Sequence, residues 1–250
     1  DNGSKDDPTA QIAAEFPNVE IARFPINQGF TGGHNFVISR ALERGYNSVL
    51  ILNNDCRIGI SDIRELQSIL DARPNVAAVS PLIYSDTPER RPQAVAGWLD
   101  WAQHQSIHPS KPGMAPPTNC PPHVLGTALL LRCAALKKIG LLDDRYFAYY
   151  EDNDLSARIF HEGYEAVYCE TAVAFHRSRE INECSSLSLY LSARNIWLFW
   201  KSRTPKEHRR GLRRHLLHQS LYELSQLKKR NAEQEKLHAI VDGFWDGIWG

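Results

Sequence analysis

Two acidic segments and one histidine are the groups in this chain best suited to acid–base or metal chemistry. Asn53-Asn54-Asp55 follows a short apolar run, Glu151-Asp152-Asn153-Asp154 begins an amphipathic pattern, and His176 closes another apolar run. Carboxylate oxygens and imidazole nitrogens bind divalent cations. A carboxylate at a helix start can also serve as a general base, because the helix dipole lowers its pKa while burial and neighbouring carboxylates raise it.

Each of these groups also has a purely structural interpretation. Asp55 could close the turn that follows its strand. Asp152 could cap its helix while Asp154 pairs with Arg158 one turn later. His176 could be a solvated residue at the end of a strand.

A glycine-rich segment, NQGFTGGHN at residues 27–35, precedes a helical pattern. Backbone N–H groups at such a helix start can approach a nucleotide or a phosphate. The segment matches neither the dinucleotide-binding nor the P-loop pattern, so a plain tight turn is an equal alternative.

The apolar patterns place these groups on alternating strands and helices. Strands are predicted at Val19–Phe24, Val49–Leu52, 76–83, Ala128–Leu131, 165–169 and 172–176, and helices at 36–42, 61–72, before Gly140 and at 152–162. Such alternation predicts an α/β fold with a mostly parallel sheet, whose ligands gather at the carboxyl ends of the strands. A proline-rich stretch at 86–122 is expected to be an irregular excursion beside the site.

Composition predicts a globular protein with a basic C-terminal part. The 250 residues are 42% hydrophobic and 23% charged, and 29 Lys and Arg balance 29 Asp and Glu. No nucleic-acid reading motif accompanies the charge, so nucleic acid is not an expected partner. Residues 1–184 are predicted to form the catalytic α/β domain. Residues 185–250 are predicted to form a helical extension, with ten Lys and Arg between Lys201 and Arg230.

The extension combines its basic residues with tryptophan and phenylalanine, which suits peripheral contact with an anionic membrane. The alternative is a solvated helix face whose aromatic side chains pack on the catalytic domain. Five scattered cysteines without a CxxC pair favour a reducing compartment. No apolar run approaches the roughly 20 residues of a membrane span, and no signal peptide opens the sequence. The expected location is the cytoplasm, with possible contact at the inner face of the membrane.

Several motifs together resemble the inverting family 2 glycosyltransferases, particularly the bacterial rhamnosyltransferase-like branch. In chain order they are DNGSKDD, NQGFTGGHN, ILNNDCRI, LGTALLLRCAALKKIGLLDDRYFAYYEDNDLSARIFHEGY, AVAFHRS and Arg194-Asn195. The resemblance implies a GT-A fold, which is Rossmann-like, and a Mg²⁺ or Mn²⁺ ion. It also implies a dTDP-, UDP- or GDP-sugar donor and a glycan or lipid-linked glycan acceptor. The implied function is sugar transfer with inversion in bacterial cell-surface polysaccharide synthesis.

The same resemblance assigns roles to individual residues. Asp55 stands at the end of the family's DXD position and would bind the metal, with His176 assisting. Asp152 matches the general base, with Glu151 beside it. The implied donor-binding residues are Asp1, Asn2, Asn27, Gly32, Gly33, Asn35, Asn53 and Asn54.

Family members carry a strand, a helix and a second strand before the DNGS turn, whereas Asp1 is the first residue here. The resemblance therefore predicts an N-terminally truncated member, with an unpaired sheet edge where those strands would lie. A second hypothesis follows, namely a catalytically inactive protein that binds a sugar, a nucleotide or a partner.

Overall fold

The computed structural model describes residues 1–109, 111–177, 184–229 and 233–250. Ser178 of the AVAFHRS motif and Arg230 of the basic segment lie outside the described residues. Strands β1 to β8 span Ser48–Leu52, Cys56–Ile58, Val76–Ser85, Pro92–Ala94, Trp98–Asp100, Gln105–Ile107, Ala128–Arg132 and Glu165–His176. Helices α1 to α8 span Thr9–Glu15, Gly29–Glu43, Ile60–Ala72, Cys133–Ile139, Glu151–His161, Ser186–Arg203, Leu212–Lys229 and Gln234–Trp249.

The main sheet has the strand order β1-β7-β3-β8-β2, with β4 also paired to β3. The α/β class is therefore confirmed. Only β3 and β8 run parallel within the described sheet, and the other pairs are antiparallel. The expectation of a mostly parallel sheet is wrong for these residues. After β3 the chain returns through the long excursion and enters β7 between β1 and β3 in the opposite direction, without a crossover helix.

Three segments differ from the sequence predictions. Val19–Phe24 is not a strand, since no described strand lies beside it and the Phe24 N–H bonds instead to the Asp1 carbonyl at 2.9 Å. The two strands predicted at 165–169 and 172–176 are one strand, β8, whose register shifts at Pro81 of its partner β3. The excursion at 86–122 contains the short strands β4, β5 and β6.

The C-terminal helices share a hydrophobic core with the α/β part of the chain. Trp197 and Trp200 of α6 are each 1% exposed, and their cluster includes Leu99 and Tyr146 from the upstream part. Buried aromatic side chains contribute large apolar areas to such a core. The domain division after residue 184 stays a prediction, but packing across it is continuous.

The aromatic residues of the extension divide into two groups. Trp197, Trp200 and Phe244 are buried, as the packing alternative predicts. Trp245 and Trp249 are 63% and 64% exposed. In the parts of the chain that the structure describes, no helix has both the length and the apolar character required to cross a bilayer.

Asp154 joins α5 to α6 through a buried ion-pair network. Its side chain is fully buried, with Arg158 Nε at 2.7 Å and Arg203 Nε at 2.5 Å from its oxygens. The other nitrogens of Arg158 donate to the carbonyls of Ile139 and Leu141 at 2.6 and 2.7 Å. The structural interpretation of Asp154 is thus confirmed. This network fixes the helix that carries Asp152.

We expect Asp154→Asn to lower the free energy of unfolding by about 3–5 kcal/mol, because it leaves two arginines facing a neutral group in the interior. Chemical denaturation checks this value. The matched control is Glu20→Gln, which removes an exposed carboxylate that also faces two arginines, Arg40 and Arg44. If both variants lower the free energy of unfolding by the same small amount, Asp154 does not hold the helices together.

Candidate active site

The register of β2 and β8 brings Asp55 next to His176. Cys56 pairs with His176 across the ladder, and the Arg177 N–H donates to the Asp55 carbonyl at 3.1 Å. His176 Nε2 lies 3.3 Å from Asp55 Oδ1, and the two side chains are 20% and 28% exposed. The carboxylate and the imidazole therefore lie side by side at the end of the sheet, where both are partly exposed to solvent.

Gln93 orients the His176 ring. His176 Nδ1 lies 2.8 Å from Gln93 Oε1, while Gln93 Nε2 donates to the His176 carbonyl at 3.1 Å. An amide oxygen can only accept, so Nδ1 carries the proton and Nε2 is left to face Asp55. This is the tautomer that a metal-binding histidine needs.

The described residues contain no group of three or more His, Cys, Asp or Glu side chains placed to hold a metal ion. Asp55 and His176 supply two donors, one hard oxygen and one nitrogen. The diphosphate of a nucleotide and water molecules are the usual source of the remaining oxygens for Mg²⁺. The pair is therefore compatible with a cation that arrives with a phosphate ligand.

Asp152 lies in the first turn of α5, in contact with the chain that leads into β7. The N–H groups of Gly126 and Asn153 donate to its carboxylate at 3.1 and 2.8 Å. Tyr150 occupies the capping position without a side-chain cap, so Asp152 is not the helix cap. Burial opposes ionisation, but the nearby His123 ring and the two N–H groups outweigh it and hold the pKa of Asp152 below its ordinary value.

Glu151 points into the protein, where it is 6% exposed. Burial, together with the charge of Asp152, raises the pKa of Glu151 to about 8. The two adjacent carboxyl groups therefore divide their roles at neutral pH. Asp152 is ionised, while Glu151 keeps its proton and cannot act as a base.

A hydrogen bond connects the Asn53-Asn54-Asp55 turn to the chain that holds Asp152. The Asn53 N–H donates to the Thr127 carbonyl at 2.9 Å, next to Gly126. This contact follows from the β1–β7 register, which pairs Leu52 with Ala128. The antiparallel entry of β7 thus places its beginning beside the end of β1. Asp55, His176 and Asp152 border the same end of the sheet.

The segment before α5, residues 146–150, has a strained backbone. Three non-glycine residues have positive φ: Phe147 at 61°, Tyr149 at 69° and Tyr150 at 71°. Such conformations cost about 1–3 kcal/mol each and persist only where neighbouring structure holds them. Because they lie directly before the acidic pair, they fix the position of the first turn of α5.

Asn195 of α6 holds this strained segment. The residue is fully buried, and its side-chain nitrogen lies 2.9, 2.8 and 2.8 Å from the carbonyl oxygens of Tyr146, Ala148 and Tyr149. Arg194 Nε donates to its Oδ1 at 2.9 Å. A side chain of the C-terminal extension therefore determines where the acidic pair lies.

The predicted donor-binding residues near the start of α2 form a compact cluster. Asn2 accepts the Gln28 N–H at 2.8 Å and donates to the Gly29 carbonyl at 2.7 Å. Asn27 accepts the Gly29 N–H at 2.8 Å. A Cβ at Gly33 would lie 3.2 Å from Asn2 Nδ2, so the absence of a side chain permits this contact.

Phe30 places this cluster next to Gly126 and Asp152. A Cβ added to Gly126 would lie 3.3 Å from the Phe30 ring and 3.8 Å from Asp152 Cβ. Gly32 also has little free space, since a Cβ there would lie 2.9 Å from Gln28 Cβ. The glycine-rich segment and Asp152 are therefore neighbours.

Two predicted donor-binding side chains are already engaged within the protein. Asp1 accepts from the Ser4 N–H at 3.1 Å and from Arg23 Nε at 2.9 Å, and its side chain is 5% exposed. Asn35 bonds to both backbone groups of Leu142 at 2.8 and 3.0 Å. Asn35 therefore ties α2 to the chain before α5, and a donor would have to displace these bonds to reach it.

Sequence reasoning missed four groups that shape the site: His123, Gln93, Gly126 and Arg203. They lie on the excursion, on the approach to β7 and on α6, outside the strand ends on which the prediction relied. A glycine beside an apolar strand is a weak signal by itself. The proline-rich segment and the residues directly after it carry no periodic pattern that would single out Gln93 or His123.

The fold and the site together define a class, the GT-A glycosyltransferase fold. A solved structure, "Crystal structure of GalNAc-T7 with UDP, GalNAc and Mn2+", matches 80% of this chain and 41% of its own with a TM-score of 0.59 and 16% sequence identity. The sequence profile of Glycosyl transferase family 2 matches residues 1–140. This chain belongs to glycosyl transferase family 2, and the resemblance inferred from the motifs is confirmed.

Two relatives extend the comparison. The chain is 30% identical over 178 residues to the low-salt glycan biosynthesis hexosyltransferase Agl10 of Haloferax volcanii, covering 69% of this chain and 57% of that protein. It is 27% identical over 197 residues to the N-acetylglucosaminyl-diphospho-decaprenol L-rhamnosyltransferase of Mycobacterium tuberculosis, covering 70% and 64%. The chain thus spans less than two thirds of the length of these relatives.

The raised pKa of Glu151 makes stability depend on pH. A carboxyl group that binds its proton more tightly when folded contributes stability fully below its ordinary pKa of 4.5, and this contribution is lost as the pH rises through about 8. We expect Glu151→Gln to gain stability relative to the wild type between about pH 5 and about pH 9. Denaturant unfolding across that range measures the difference.

The control for this experiment is Glu20→Gln. The pKa of the exposed Glu20 is lowered by hydrogen bonding to Arg44, so its substitution adds no pH dependence in this range. A constant difference between wild type and Glu151→Gln at every pH would show that Glu151 is ionised throughout and that the assignment of the neutral partner is wrong.

Proposed function

We propose that this protein transfers a sugar from a nucleotide-sugar donor to a hydroxyl group, with inversion at the anomeric carbon. One observation carries the proposal: Asp152 and the Asp55–His176 pair border the same end of the sheet, joined by the hydrogen bond from Asn53 to Thr127. Family membership and the named glycosyltransferase relatives support the same reaction.

In this proposal Asp152 is the general base. Its lowered pKa keeps it ionised, and each of its two oxygens accepts a hydrogen bond from a backbone N–H group. It takes the proton of the acceptor hydroxyl as that oxygen attacks the anomeric carbon from the side opposite the leaving diphosphate. A single displacement of this kind inverts the configuration. Glu151 is buried and protonated, and the negative charge of Asp152 contributes to its raised pKa. In this proposal Glu151 does not contact the acceptor.

Asp55 and His176 would hold the divalent cation, Mg²⁺ or Mn²⁺. When bound, such a cation would supply positive charge against the departing nucleoside diphosphate. The carboxylate gives a hard oxygen and the imidazole presents Nε2, while Gln93 fixes the ring. Asn53 and Asn54 carry no charge, so cation affinity depends on this pair and on the phosphates of the donor.

We assign the donor class to dTDP-, UDP- or GDP-sugars and the acceptor to a glycan or a lipid-linked glycan, in cell-surface polysaccharide synthesis. The relative from Mycobacterium tuberculosis, by its name, acts on a diphospho-decaprenol. The cluster of Asn2, Asn27, Gly32 and Gly33 adjoins Asp152 through Phe30 and supplies the donor surface. In the competing hypothesis, a catalytically inactive protein that binds a sugar, a nucleotide or a partner, this surface would bind its ligand without any sugar transfer.

Replacing Asp152 by Asn tests the base directly. We expect turnover to fall by a factor on the order of 10²–10⁴, because an amide cannot accept the proton. Mn²⁺-dependent binding of nucleoside diphosphate should stay close to wild type. Release of nucleoside diphosphate from a panel of UDP-, dTDP- and GDP-sugars, with a polyprenyl-diphosphate-linked sugar as acceptor, measures turnover, and calorimetry measures binding.

Two further variants separate the roles. Asp55→Asn should weaken the Mn²⁺-dependent binding that Asp152→Asn retains, and Asp71→Asn on an exposed face of α3 should change neither quantity. Unchanged turnover in Asp152→Asn would remove this residue from the role of base. Binding without turnover in the wild type would favour the inactive nucleotide-binding protein.

The exposed side of the α7–α8 pair supports peripheral contact with the inner face of a membrane. Its exposed apolar side chains are Leu217, Leu221 and Tyr222 on α7 and Val241, Trp245 and Trp249 on α8. The Trp245 and Trp249 rings are 5.8 Å apart, and the Arg213 guanidinium lies 5.6 Å from the Trp249 ring. Tryptophan beside arginine is typical of surfaces that lie at a headgroup layer.

The charge on this surface is mixed but locally basic. Arg210, Arg213 and Arg214 are all exposed at the start of α7. On α8, Asp242 is exposed and Asp246 accepts a hydrogen bond from the Tyr190 hydroxyl at 2.6 Å. The basic end of the surface is therefore the part that anionic lipid headgroups would attract. Such contact would bring the cleft to a lipid-linked acceptor.

We expect the protein to co-sediment with phosphatidylglycerol vesicles and to be released by salt, since exposed charges are screened. Trp245→Ala combined with Trp249→Ala should reduce the bound fraction, whereas Tyr46→Ala, an equally exposed aromatic outside this surface, should not. A bound fraction that does not change with lipid charge, with salt or with the two tryptophan substitutions would contradict membrane contact through this surface.

A further inference from the structure

His123 is a buried histidine whose ring lacks partners. It is 1% exposed, and neither ring nitrogen has a hydrogen-bond partner among the described residues. Its backbone is fixed, because its N–H donates to the Gly97 carbonyl at 2.8 Å. A buried imidazole without partners is costly and calls for a functional explanation.

The charged group facing His123 is the carboxylate of Asp152. His123 Nε2 lies 3.8 Å from Asp152 Oδ1, and the other oxygen, Oδ2, accepts the Gly126 N–H. The separation exceeds that of a hydrogen bond by about 1 Å. Catalytic hydrogen bonds are often long in the free enzyme and shorten when substrate binds. His123 and Gly126 belong to the same short approach to β7, and the Gly126 contact is already formed, so a small movement of the His123 ring would complete the second contact.

Gly97 makes room for this arrangement. A Cβ at Gly97 would collide with the His123 carbonyl and would lie 3.4 Å from its Nδ1. The glycine lies between β4 and β5 in the excursion. The absence of a side chain there lets the imidazole sit against the backbone beside Asp152.

His108 extends the same line toward solvent. Its ring centroid lies 5.1 Å from that of His123, with the planes at 68°. His108 is exposed, whereas His123 is buried. Asp152, His123 and His108 thus form a row of three titratable side chains that ends at the surface. Desolvation and the neighbouring His123 lower the pKa of His108 to about 4, so at neutral pH its ring is neutral and would pass a proton on rather than keep it.

The other titratable groups near Asp152 cannot take its proton at neutral pH. Burial and the charge of Asp152 raise the pKa of Glu151 to about 8, so this carboxyl is already protonated. Burial likewise raises the pKa of the Tyr168 hydroxyl, which also stays protonated. Among these described neighbours, His123 is the group whose ring nitrogens make no hydrogen bond and whose Nε2 faces Asp152.

We propose that His123 and His108 form a proton relay that carries the acceptor's proton from Asp152 to solvent. The proposal rests on Asp152 being the general base. In the transfer step the acceptor O–H bond breaks, the bond from its oxygen to the anomeric carbon forms, and the diphosphate leaves with the electron pair of the broken C–O bond. The proton on Asp152 then passes to His123, which becomes imidazolium and returns to neutrality by releasing a proton through His108 to water.

A relay of this kind resets the base between turnovers. Asp152 has a side chain only 15% exposed, and a bound acceptor would cover it further. Without a second exit its proton would have to leave with the product. The relay lets the base recover while the cleft is still covered, so its loss should appear in kcat and leave donor affinity unchanged.

The first test requires no turnover. Histidine ring signals, assigned by comparison with His123→Gln, are followed by NMR against pH in the wild type and in Asp152→Asn. Removing the facing carboxylate should change the chemical shifts of the His123 ring, because its Nε2 lies 3.8 Å from Asp152 Oδ1, while the ring signals of His238, an exposed histidine on α8, stay unchanged. Unchanged His123 ring signals would overturn the pairing of the two groups.

The second test uses turnover in the same transfer assay. His123→Gln should lower kcat by about tenfold to a hundredfold, leave KM for the donor and Mn²⁺-dependent nucleotide binding unchanged, and alter the pH profile of kcat. His108→Gln should have a smaller effect that added imidazole buffer restores. His238→Gln serves as the matched control, and thermal unfolding verifies that each variant is folded.

The outcomes separate this proposal from the proposed function. Full turnover in Asp152→Asn would refute the base itself. Loss of turnover in Asp152→Asn, combined with wild-type kcat and pH profile in His123→Gln, would refute the relay while leaving the base in place. An equal loss in His123→Gln at every pH, without rescue by imidazole in His108→Gln, would assign His123 a structural role and overturn the relay.

Discussion

One ionised carboxylate kept largely out of water is the constraint on which the rest of this structure depends. Asp152 is stabilised by two backbone N–H groups at 3.1 and 2.8 Å and by a facing imidazole. Burying a charge without such partners is strongly unfavourable. Its neighbour Glu151 avoids the same cost by holding its proton. The different protonation states of Asp152 and Glu151 at the start of α5 therefore follow from the different hydrogen bonds and burial of these two adjacent residues.

The position of that carboxylate is maintained by the C-terminal helices. Asn195 holds the strained carbonyls before α5, and Arg203 pairs with the buried Asp154 inside it. These contacts run between parts of the chain that sequence patterns alone would treat as separate. Helix α6 consequently fixes the position of Asp152, in addition to packing with α7 and α8, which present an exposed surface of their own.

The sequence predicted what local patterns encode. Apolar runs located β1, β3, β7 and β8, and the motif resemblance proposed Asp55, Asp152 and His176 as site residues, a proposal that stays a prediction. Strand direction was not available from those patterns, because β7 returns through an irregular excursion that carries no periodic signal. Val19–Phe24 has the alternation of a strand but lacks a described neighbour to pair with. His123 lies directly after the proline-rich segment, and only its three-dimensional position beside Asp152 marks it as part of the site.

The central claim is that Asp152 and the Asp55–His176 pair face a single cleft. Its most direct test is paramagnetic broadening by Mn²⁺, added with nucleoside diphosphate to the isotope-labelled chain. We expect the backbone signals of Asp55, His176, Gly126 and Asp152 to broaden together, while those of the exposed end of α8 stay sharp. Broadening near Asp55 that leaves Asp152 and Gly126 untouched would place the metal and the base in different sites.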